Sequence, residues 1–206
     1  MGKPIEMRCR GANYYLIDCQ DGKLLLDAGW PHCLPNLKDD LKGWGLKLYD
    51  IRYVMITHAH PDHAGMVQIL KRLCGAHLVI HECQVPFLSE LNAFFERKHD
   101  PDFEPLRVDK GDLVVGSANR TVLQSIGILG QMVETPGHSD DSISLVLDEG
   151  YAFVGDLTRP DLATEEAAEV LRASWKRLLQ ARVAWIYAGH GQPIPAAEIE
   201  HLLRSS

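Results

Sequence analysis

Short apolar runs and amphipathic stretches alternate along the chain, and this alternation predicts an α/β protein. Ile51–Thr57 is a mostly apolar run with the length of a buried strand. His63–Cys74 instead carries apolar residues at helical spacing, and Gly75 follows it as a helix stop. The same patterns predict strands at Asn13–Asp18, Lys23–Ala28, His77–His81, Leu113–Val115, Thr121–Ser125, Gln131–Glu134, Ser142–Leu147, Tyr151–Gly155 and Val183–Ala188, and helices at Pro35–Lys42, Val85–Arg97, Thr164–Ala181 and Ala196–Leu203.

Length and composition are those of a globular protein with one substantial core. The chain has 206 residues, of which 46% are hydrophobic and 24% are charged. The residues that carry chemistry, described below, extend from position 27 to position 190. Because two domains would divide that set, we predict a single domain over residues 1–206.

Charge and cysteine content limit the partners and the location. Lys and Arg number 21 against 28 Asp and Glu, and the net charge of −7 disfavours binding to nucleic acid. No apolar run approaches the roughly 18 residues of a membrane helix, and the first residues lack a secretory signal. Five cysteines without CxxC spacing predict reduced thiols, most of them in the core. We therefore expect a cytoplasmic protein without a nucleic-acid or membrane partner.

The densest group of potential metal ligands directly follows the Ile51–Thr57 strand. His58, His60, Asp62 and His63 fall within six residues. Imidazole and carboxylate groups suit zinc and similar first-row metals. In an extended chain His58 and His60 point the same way and can reach one ion. A proline then turns the chain, so that Asp62 and His63 can address a second ion nearby.

Three later strand ends each carry one further potential ligand. His138 lies in a turn with PGH spacing, Asp156 follows Gly155, and His190 stands between two glycines. Glycine permits positive φ and the close backbone approach that a crowded metal centre needs. One such strand end is ordinary turn chemistry. Four in one chain indicate a shared site.

The order of these motifs resembles that of the metallo-β-lactamase superfamily: HxHxDH, a His in PGH, then GD, then GHG. The stretch Leu24–Gly29 resembles the first motif of that family, an Asp at a strand end, which is Asp27 here. The resemblance spans Asn13 to His190. It implies an α/β fold, a four-layer αββα sandwich of two mixed β-sheets with helices on the outer faces.

The resemblance also implies a centre of two divalent metal ions, with zinc expected and iron or manganese as alternatives. The implied ligands of the first ion are His58, His60 and His138, and those of the second are Asp62, His63 and His190. Asp156 would bridge the two ions. Asp27 would orient a ligand histidine through a hydrogen bond.

Residues beside these motifs are candidates for other roles. Asp140 and Asp141 follow the PGH motif, where family members often have a small or Pro-Gly stretch. They could support the metal ligands or form a solvated turn, and we favour the turn. Three residues in loops next to the predicted ligands are candidates for substrate binding, namely Trp30, His32 and Arg159.

The predicted centre suggests a reaction class. Two ions that share an oxygen ligand lower the pKa of bound water and supply hydroxide near neutral pH. Asp62 could orient this hydroxide and pass its proton to the leaving group. No GxSxG motif offers a serine nucleophile. We predict a dinuclear metal-dependent hydrolase that uses a metal-bound hydroxide on a lactone, thioester or carboxylic ester, with a phosphodiesterase as an alternative.

Departures from particular family branches narrow this prediction. The 16 residues after His190 leave no room for the helical C-terminal domain of glyoxalase II-like thioesterases, and the segment after Asp156 lacks their Lys and Tyr. Zinc β-lactamases are exported and lack a bridging Asp, so Asp156 and the missing signal disfavour this branch. Flavodiiron relatives have Glu in the place of His60, and RNA-processing members carry additional domains. Both of these branches are therefore also disfavoured. Quorum-signal lactonases stay open, although their Tyr after the bridging Asp is not evident.

Two further classes also stay open. Persulfide dioxygenases resemble this motif set but use one iron, bound by the equivalents of His58, His60 (or His138) and Asp156. A non-catalytic binding module is disfavoured, because a structural site would be closed by four ligands. The expected partner is a small-molecule substrate. The oligomeric state is open, with a homodimer as one alternative.

Overall fold

Strands of two sheets form the centre of the protein, whose residues 2–205 are described by a computed structural model. The first sheet consists, in spatial order, of β1 (Ile5–Cys9), β2 (Ala12–Cys19), β3 (Gly22–Leu26), β4 (Ile51–Met55), β5 (His77–His81) and β6 (Leu113–Val115). The second sheet consists of β7 (Gly130–Glu134), β8 (Ile143–Leu147), β9 (Tyr151–Gly155), β10 (Trp185–Ala188) and β11 (Ile194–Pro195), also adjacent in that order.

Seven α-helices within residues 2–205 connect or cover these strands. They are α1 (Leu34–Gly43), α2 (Pro61–Ala64), α3 (Val67–Cys74), α4 (Leu88–Lys98), α5 (Asn119–Ser125), α6 (Ala168–Leu179) and α7 (Ala196–Ser205). Short 3-10 helices occupy Pro31–Cys33, Leu48–Asp50, Glu82–Phe87 and Pro160–Leu162. No helix within residues 2–205 has the length and apolarity that crossing a bilayer requires.

Successive residues of the central strands face opposite layers. Leu24 and Leu26 of β3 pack between the two sheets, whereas Leu25 packs on the outer side. On β9, Phe153 packs between the sheets and Ala152 faces outward. Both faces of these strands are buried, so their sequences are continuous apolar runs and do not alternate with polar residues.

Helices bury the outer face of each sheet. On the first sheet, α1, α3 and α4 contribute Leu37, Leu70 and Leu91 to one apolar cluster. On the second sheet, α6 contributes Trp175 and α7 contributes Ile199 to another. The predicted four-layer αββα sandwich with two mixed sheets is therefore confirmed. The predicted single domain over residues 1–206 includes Met1 and Ser206, which lie outside the described residues.

The strand directions bring the predicted site residues to one edge. β3, β4 and β5 run parallel in the first sheet, and β9 runs parallel to β10 in the second. Parallel strands end at the same edge of a sheet. Asp27 follows β3, His58 lies just past β4, Asp156 follows β9, and His190 lies just past β10.

Several predicted elements differ from the observed ones. Thr121–Ser125, predicted as a strand, belongs to helix α5; Leu123 of this helix and Ile126, which follows it, are three positions apart and both lie in the core. Short apolar runs fit both periods, so pattern alone did not separate them. The predicted helix His63–Cys74 is divided between α2 and α3. Strands β1 and β11 were not predicted.

The prediction of five reduced cysteines is wrong for two of them. Cys9 on β1 and Cys33 in the first 3-10 helix form a disulfide, with Cα atoms 6.1 Å apart. Cys19, Cys74 and Cys83 are free thiols. The pairing depends on the packing of β1, which spacing did not reveal. The cysteine pattern therefore no longer supports the predicted cytoplasmic location.

Candidate metal centre

Three histidines from two loops form the first group of potential ligands. His58 and His60 follow β4, and His138 follows β7. One ligand atom of each lies within 4.8 Å of the others. His60 Nδ1 and His138 Nε2 are only 3.0 Å apart. Two nitrogens bound to one tetrahedral zinc at about 2.1 Å would lie roughly 3.4 Å apart, so this spacing is close to that of two ligands on one ion.

A second group lies beside the first. Pro61 begins α2, which carries Asp62 and His63 directly after His60 at its N-terminus. Their ligand atoms and that of His190 lie within 4.8 Å of one another. His190 Nε2 is 3.3 Å from Asp62 Oδ2, and His63 Nε2 is 3.8 Å from the same oxygen.

Asp156 lies between the two groups. Its Oδ1 is 3.3 Å from His63 Nε2. Its Oδ2 is 3.3 Å from His190 Nε2 and 3.6 Å from His138 Nε2. One carboxylate therefore reaches ligands of both groups: Oδ2 lies near His138 of the first group and His190 of the second, and Oδ1 lies near His63 of the second. This is the arrangement that a carboxylate bridging two ions requires.

Three of the imidazoles are held by one ring nitrogen, which leaves the other free. His63 Nδ1 is 2.9 Å from Asp27 Oδ2, His58 Nδ1 is 3.1 Å from Thr57 Oγ1, and His190 Nδ1 donates to the Gly11 carbonyl at 2.8 Å. A hydrogen bond at Nδ1 fixes the orientation of the ring and directs Nε2 inward, where it can bind a cation once it carries no proton.

Ligand atoms without hydrogen-bond partners provide a test of whether a metal ion fits this site. His58 Nε2, His63 Nε2 and Asp156 Oδ1 are buried and have no hydrogen-bond partner. Burying such atoms without partners is costly, and native proteins rarely do so. Their ligand atoms lie within 4.8 Å of one another. Cations held by the two groups would satisfy all three atoms, so the residues fit a metal centre.

The electrostatics of the cluster favour a cation. Burial and the neighbouring imidazoles hold the pKa of His58 well below its usual value, which keeps this ring neutral. Burial opposes protonation of His63, but Asp27 and Asp156 outweigh it and raise its pKa to about 10. Burial alone would raise the pKa of Asp156, yet the surrounding histidines, His63 foremost, lower it.

Asp27 organises the base of the site. Its backbone is left-handed, with φ of 59°, and its side chain is almost fully buried. Asp27 Oδ1 accepts the Thr57 N–H at 2.7 Å, while Oδ2 accepts the Thr57 hydroxyl and faces His63 Nδ1, both at 2.9 Å. Asp tolerates this backbone better than most residues. One carboxylate thus joins the ends of β3 and β4 to a ligand ring.

The predicted solvated turn is wrong for Asp141. Asp140 is exposed, but Asp141 is only 2% exposed. Asp141 Oδ2 accepts the Ala59 N–H at 2.7 Å, and its Oδ1 accepts the Ser139 hydroxyl at 2.7 Å. It therefore ties the loop that holds His58 and His60 to the loop that holds His138. The sequence gives no periodic signal for such a contact.

Of the three residues predicted to touch substrate, Trp30 and His32 lie together, whereas Arg159 has other partners. Trp30 stacks on His32, with ring centroids 6.2 Å apart, and packs edge-on against Phe95. His32 lines a surface groove with Ile69 and Arg72. Arg159 forms ion pairs with Asp161 at 3.0 Å and Glu198 at 2.8 Å. Their role in substrate binding stays a prediction.

Asn13, far from the other site residues in the sequence, supports one of these loops, and the sequence analysis did not predict this role. Asn13 on β2, which lies opposite Arg8 of β1, donates its backbone N–H to the Gly189 carbonyl at 2.7 Å. Its side chain donates to the carbonyls of Ala188 and Gly191. The first sheet thereby holds the loop of His190, which extends from the second sheet.

Gly189 provides a direct test of the packing around the cluster. A Cβ at this position would lie 2.4 Å from Asp156 Oδ1 and 2.5 Å from His63 Cε1. We expect Gly189→Ala to displace both side chains and to weaken metal binding at least tenfold. Elemental analysis of the purified protein measures this. Gly43→Ala is the control, because its Cβ would meet no atom within 4 Å; normal metal content in both variants would contradict the geometry.

Comparison with known proteins places the fold in a family. The model of the metallo-beta-lactamase superfamily matches residues 7–190. BJP-1, a subclass B3 metallo-beta-lactamase of Bradyrhizobium japonicum, superposes with a TM-score of 0.70 at 21% identity, covering 98% of this chain and 87% of that one. TTHA1623 in a di-iron-bound form gives a TM-score of 0.69 at 23% identity, covering 95% and 96%.

Curated relatives are similar over much of this chain but are longer. Beta-lactamase-like protein 2 homolog of Drosophila melanogaster is 28% identical over 97% of this chain and 66% of its own length. An atrochrysone carboxyl ACP thioesterase of Aspergillus fumigatus is 28% identical, covering 94% and 55%. A hydroxyacylglutathione hydrolase of Rhodopseudomonas palustris is 32% identical, covering 72% and 50%. The chain spans half to about two thirds of these relatives. Because the family match covers most of the chain and the folds agree, this chain belongs to the metallo-beta-lactamase superfamily.

Proposed function

We propose that the protein is a dinuclear metal-dependent hydrolase of an ester-like bond in a small molecule: a lactone, a thioester or a carboxylic ester. The observation that carries this proposal is the convergence of seven ligand-type side chains with three buried, unpartnered atoms. A structural metal site is closed by four ligands and needs no second group beside it. An open, doubled site is typical of catalysis.

The assignment of ligands follows the two groups. His58, His60 and His138 would hold one ion, and Asp62, His63 and His190 would hold the other, with Asp156 shared. When bound, a pair of zinc ions would activate water near neutral pH and polarise the substrate carbonyl. Zinc is the expected metal, since imidazole and carboxylate ligands suit it.

The cluster has a buried side and a side that is open to solvent. His58 and His63 are buried, whereas the side chains of His138 and His190 are 29% and 45% exposed. Substrate would therefore approach from the side of His138 and His190. Asp62 is 20% exposed and faces this opening, so it can exchange protons with a bound molecule.

The proton steps fall to Asp62. Its carboxylate would accept a proton from the attacking water and return it to the departing oxygen or sulfur. The acyl carbon gains a hydroxyl group, its bond to the leaving atom breaks, and the leaving atom gains the proton. Water is consumed and an acid is released, so no further reactant is needed.

Two relatives support the choice of an acyl bond. Their names describe a thioesterase and a hydroxyacylglutathione hydrolase, both of which act on thioesters. Acyl transfer to water is also the reaction for which polarising a carbonyl and supplying a nucleophile are both useful. Because this chain spans only part of these relatives, the substrate itself is proposed on the chemistry of the site.

Metal analysis combined with a substrate panel tests the proposal. We expect protein purified without added metal, then loaded with zinc, to contain two ions per chain and to hydrolyse at least one lactone, thioester or carboxylic ester. Chelation should abolish turnover, and zinc should restore it. A single iron per chain, with oxygen consumption on a persulfide, would instead favour the oxidoreductase alternative and overturn the hydrolase.

A further inference from the structure

A cavity of about 420 Å³ opens beside the first group of ligands. Ala59 and His60 form one side of it, together with Ser139 next to His138. The opposite side is formed by α4 and the residue that precedes it. Its volume lies within the range of small-molecule sites. A ligand in this cavity would thus touch both a metal-site histidine and a helix that carries none of the predicted ligands.

The helix presents an apolar stripe to the cavity. Phe87, Leu91 and Phe94 line it, at the spacing of one helical face. Leu91 is buried, and the two phenylalanines are partly buried against the same core cluster. Aromatic side chains offer large, stiff contact surfaces. This wall suits an aromatic or other bulky apolar group and offers few hydrogen bonds.

Charge is distributed unevenly along this face. Glu90 lines the cavity in the first turn of α4, and Arg97 lines it in the last. They are seven positions apart, or about 10 Å along the helix at 1.5 Å per residue. Lys98 lies over the Phe94 ring at 5.9 Å. An anionic group would be repelled near Glu90 and attracted at the Arg97 end.

The orientation of the helix follows from the preceding segment. Gln84 donates to the carbonyls of Ile56 and Thr57, at the start of the metal-binding loop. The amino-terminal end of α4 is therefore anchored near the centre, and Arg97 lies at the far end. Basic residues in a last helical turn are common. Arg97 differs from an ordinary basic residue at a helix end because it lines the cavity and forms no ion pair within residues 2–205.

We propose that this cavity binds the aromatic acyl arm of the ester-like substrate, and that Arg97 recognises a carboxylate at the remote end of that arm. The inference rests on the proposed function, since the scissile carbonyl would lie at the His60 end. Phe87 and Phe94 would enclose the ring. The substrate class is then an ester or thioester of an arylalkanoic acid with a second, distal carboxylate.

Two product-like probes test ligand binding in the cavity without requiring turnover. 4-Phenylbutanoate carries one carboxylate, and 4-(4-carboxyphenyl)butanoate adds the distal one. Calorimetric titration of the zinc-loaded protein measures the affinity of each. We expect the diacid to bind about five- to tenfold more tightly than the monoacid, as one charge-assisted contact in a partly open site would give.

Variants assign that preference to its source. Arg97→Gln should remove the preference and leave the affinity for the monoacid unchanged, whereas Phe94→Ala should weaken both probes about tenfold. Arg204→Gln removes an equal charge from an exposed site on α7 and should change neither. Arg97 is exposed, so its variant will fold even if Phe94→Ala lowers the melting temperature.

The outcomes separate the two proposals. Equal binding of both probes to the wild type, or a preference that survives Arg97→Gln, would overturn the proposal that Arg97 recognises a distal carboxylate in this cavity. The thioesters of the same acids are then assayed for hydrolysis. Absence of turnover with these thioesters and with the whole substrate panel, together with an Arg97-dependent preference in binding, would overturn the hydrolase and support recognition of the distal carboxylate in the cavity. Turnover without any preference for the distal carboxylate would support the hydrolase and overturn the proposed role of Arg97.

Discussion

Replacing Asp156 with asparagine is expected to lower kcat/KM at least a hundredfold and to reduce bound metal from two ions to one or fewer. Asn keeps the size of the side chain but removes the charge that both ligand groups share. Asp156 contacts His63 and His190 at 3.3 Å and His138 at 3.6 Å. Loss of residues that merely support ligands costs 10- to 100-fold, so loss of a shared ligand should cost at least the larger figure.

Metal content and activity are measured on the same preparations. Asp140→Asn is the matched control, because Asp140 is exposed and lies two residues from His138. It removes the same charge near the site without touching the ligands. Full metal content and unchanged turnover in Asp156→Asn would show that this carboxylate joins nothing, and the dinuclear assignment would then be abandoned.

Removal of the Asp27 carboxylate should destabilise the fold and weaken the metal at once. In Asp27→Ala, the Thr57 N–H, the Thr57 hydroxyl and His63 Nδ1 lose their acceptor in a buried place. Each unsatisfied buried group costs about 1–3 kcal/mol, and a non-Gly, non-Asx residue in the left-handed region adds about 1 kcal/mol. We expect a loss of at least about 4 kcal/mol in the free energy of unfolding, measured by urea titration of the metal-free protein.

Asp27→Asn separates the backbone contribution from the electrostatic one. Asn also tolerates a φ of 59° and retains one oxygen acceptor. It should therefore unfold at a urea concentration between those of the wild type and Asp27→Ala. Its zinc affinity should fall about 10- to 100-fold, because the orienting partner of His63 is lost. Equal stability of the two variants would argue against a role for the left-handed backbone.

The residues of the cluster were predictable because their signal is local. Ligand-type side chains follow apolar strands at short, fixed spacings, and strand ends meet at one edge of a sheet. Asp141 gave no such signal, because its partner, the Ala59 N–H, is 82 residues away. The Cys9–Cys33 pairing depends in the same way on the packing of β1. Interactions between distant segments are invisible to periodicity.

The cavity beside α4 could not be predicted for a related reason. Phe87 and Phe94 resemble ordinary core residues in the sequence, and both are in fact packed against the core. Their second role arises only where the helix ends its contact with the sheet and the PGH loop approaches from the other side. Arg97 likewise looked like a solvated helix residue. Which side chains border an opening depends on the assembled tertiary structure.

The contact of Asn13 with the loop of His190 has a consequence for the order of assembly. This contact joins segments about 176 residues apart, so the centre closes only after both ends of the chain have docked. A chain still being synthesised has an incomplete ligand set and little affinity for the ions. Cations that bind only the finished fold stabilise it by mass action, in proportion to the logarithm of their free concentration. Metal supply would then govern the lifetime of the folded molecule as well as its chemistry.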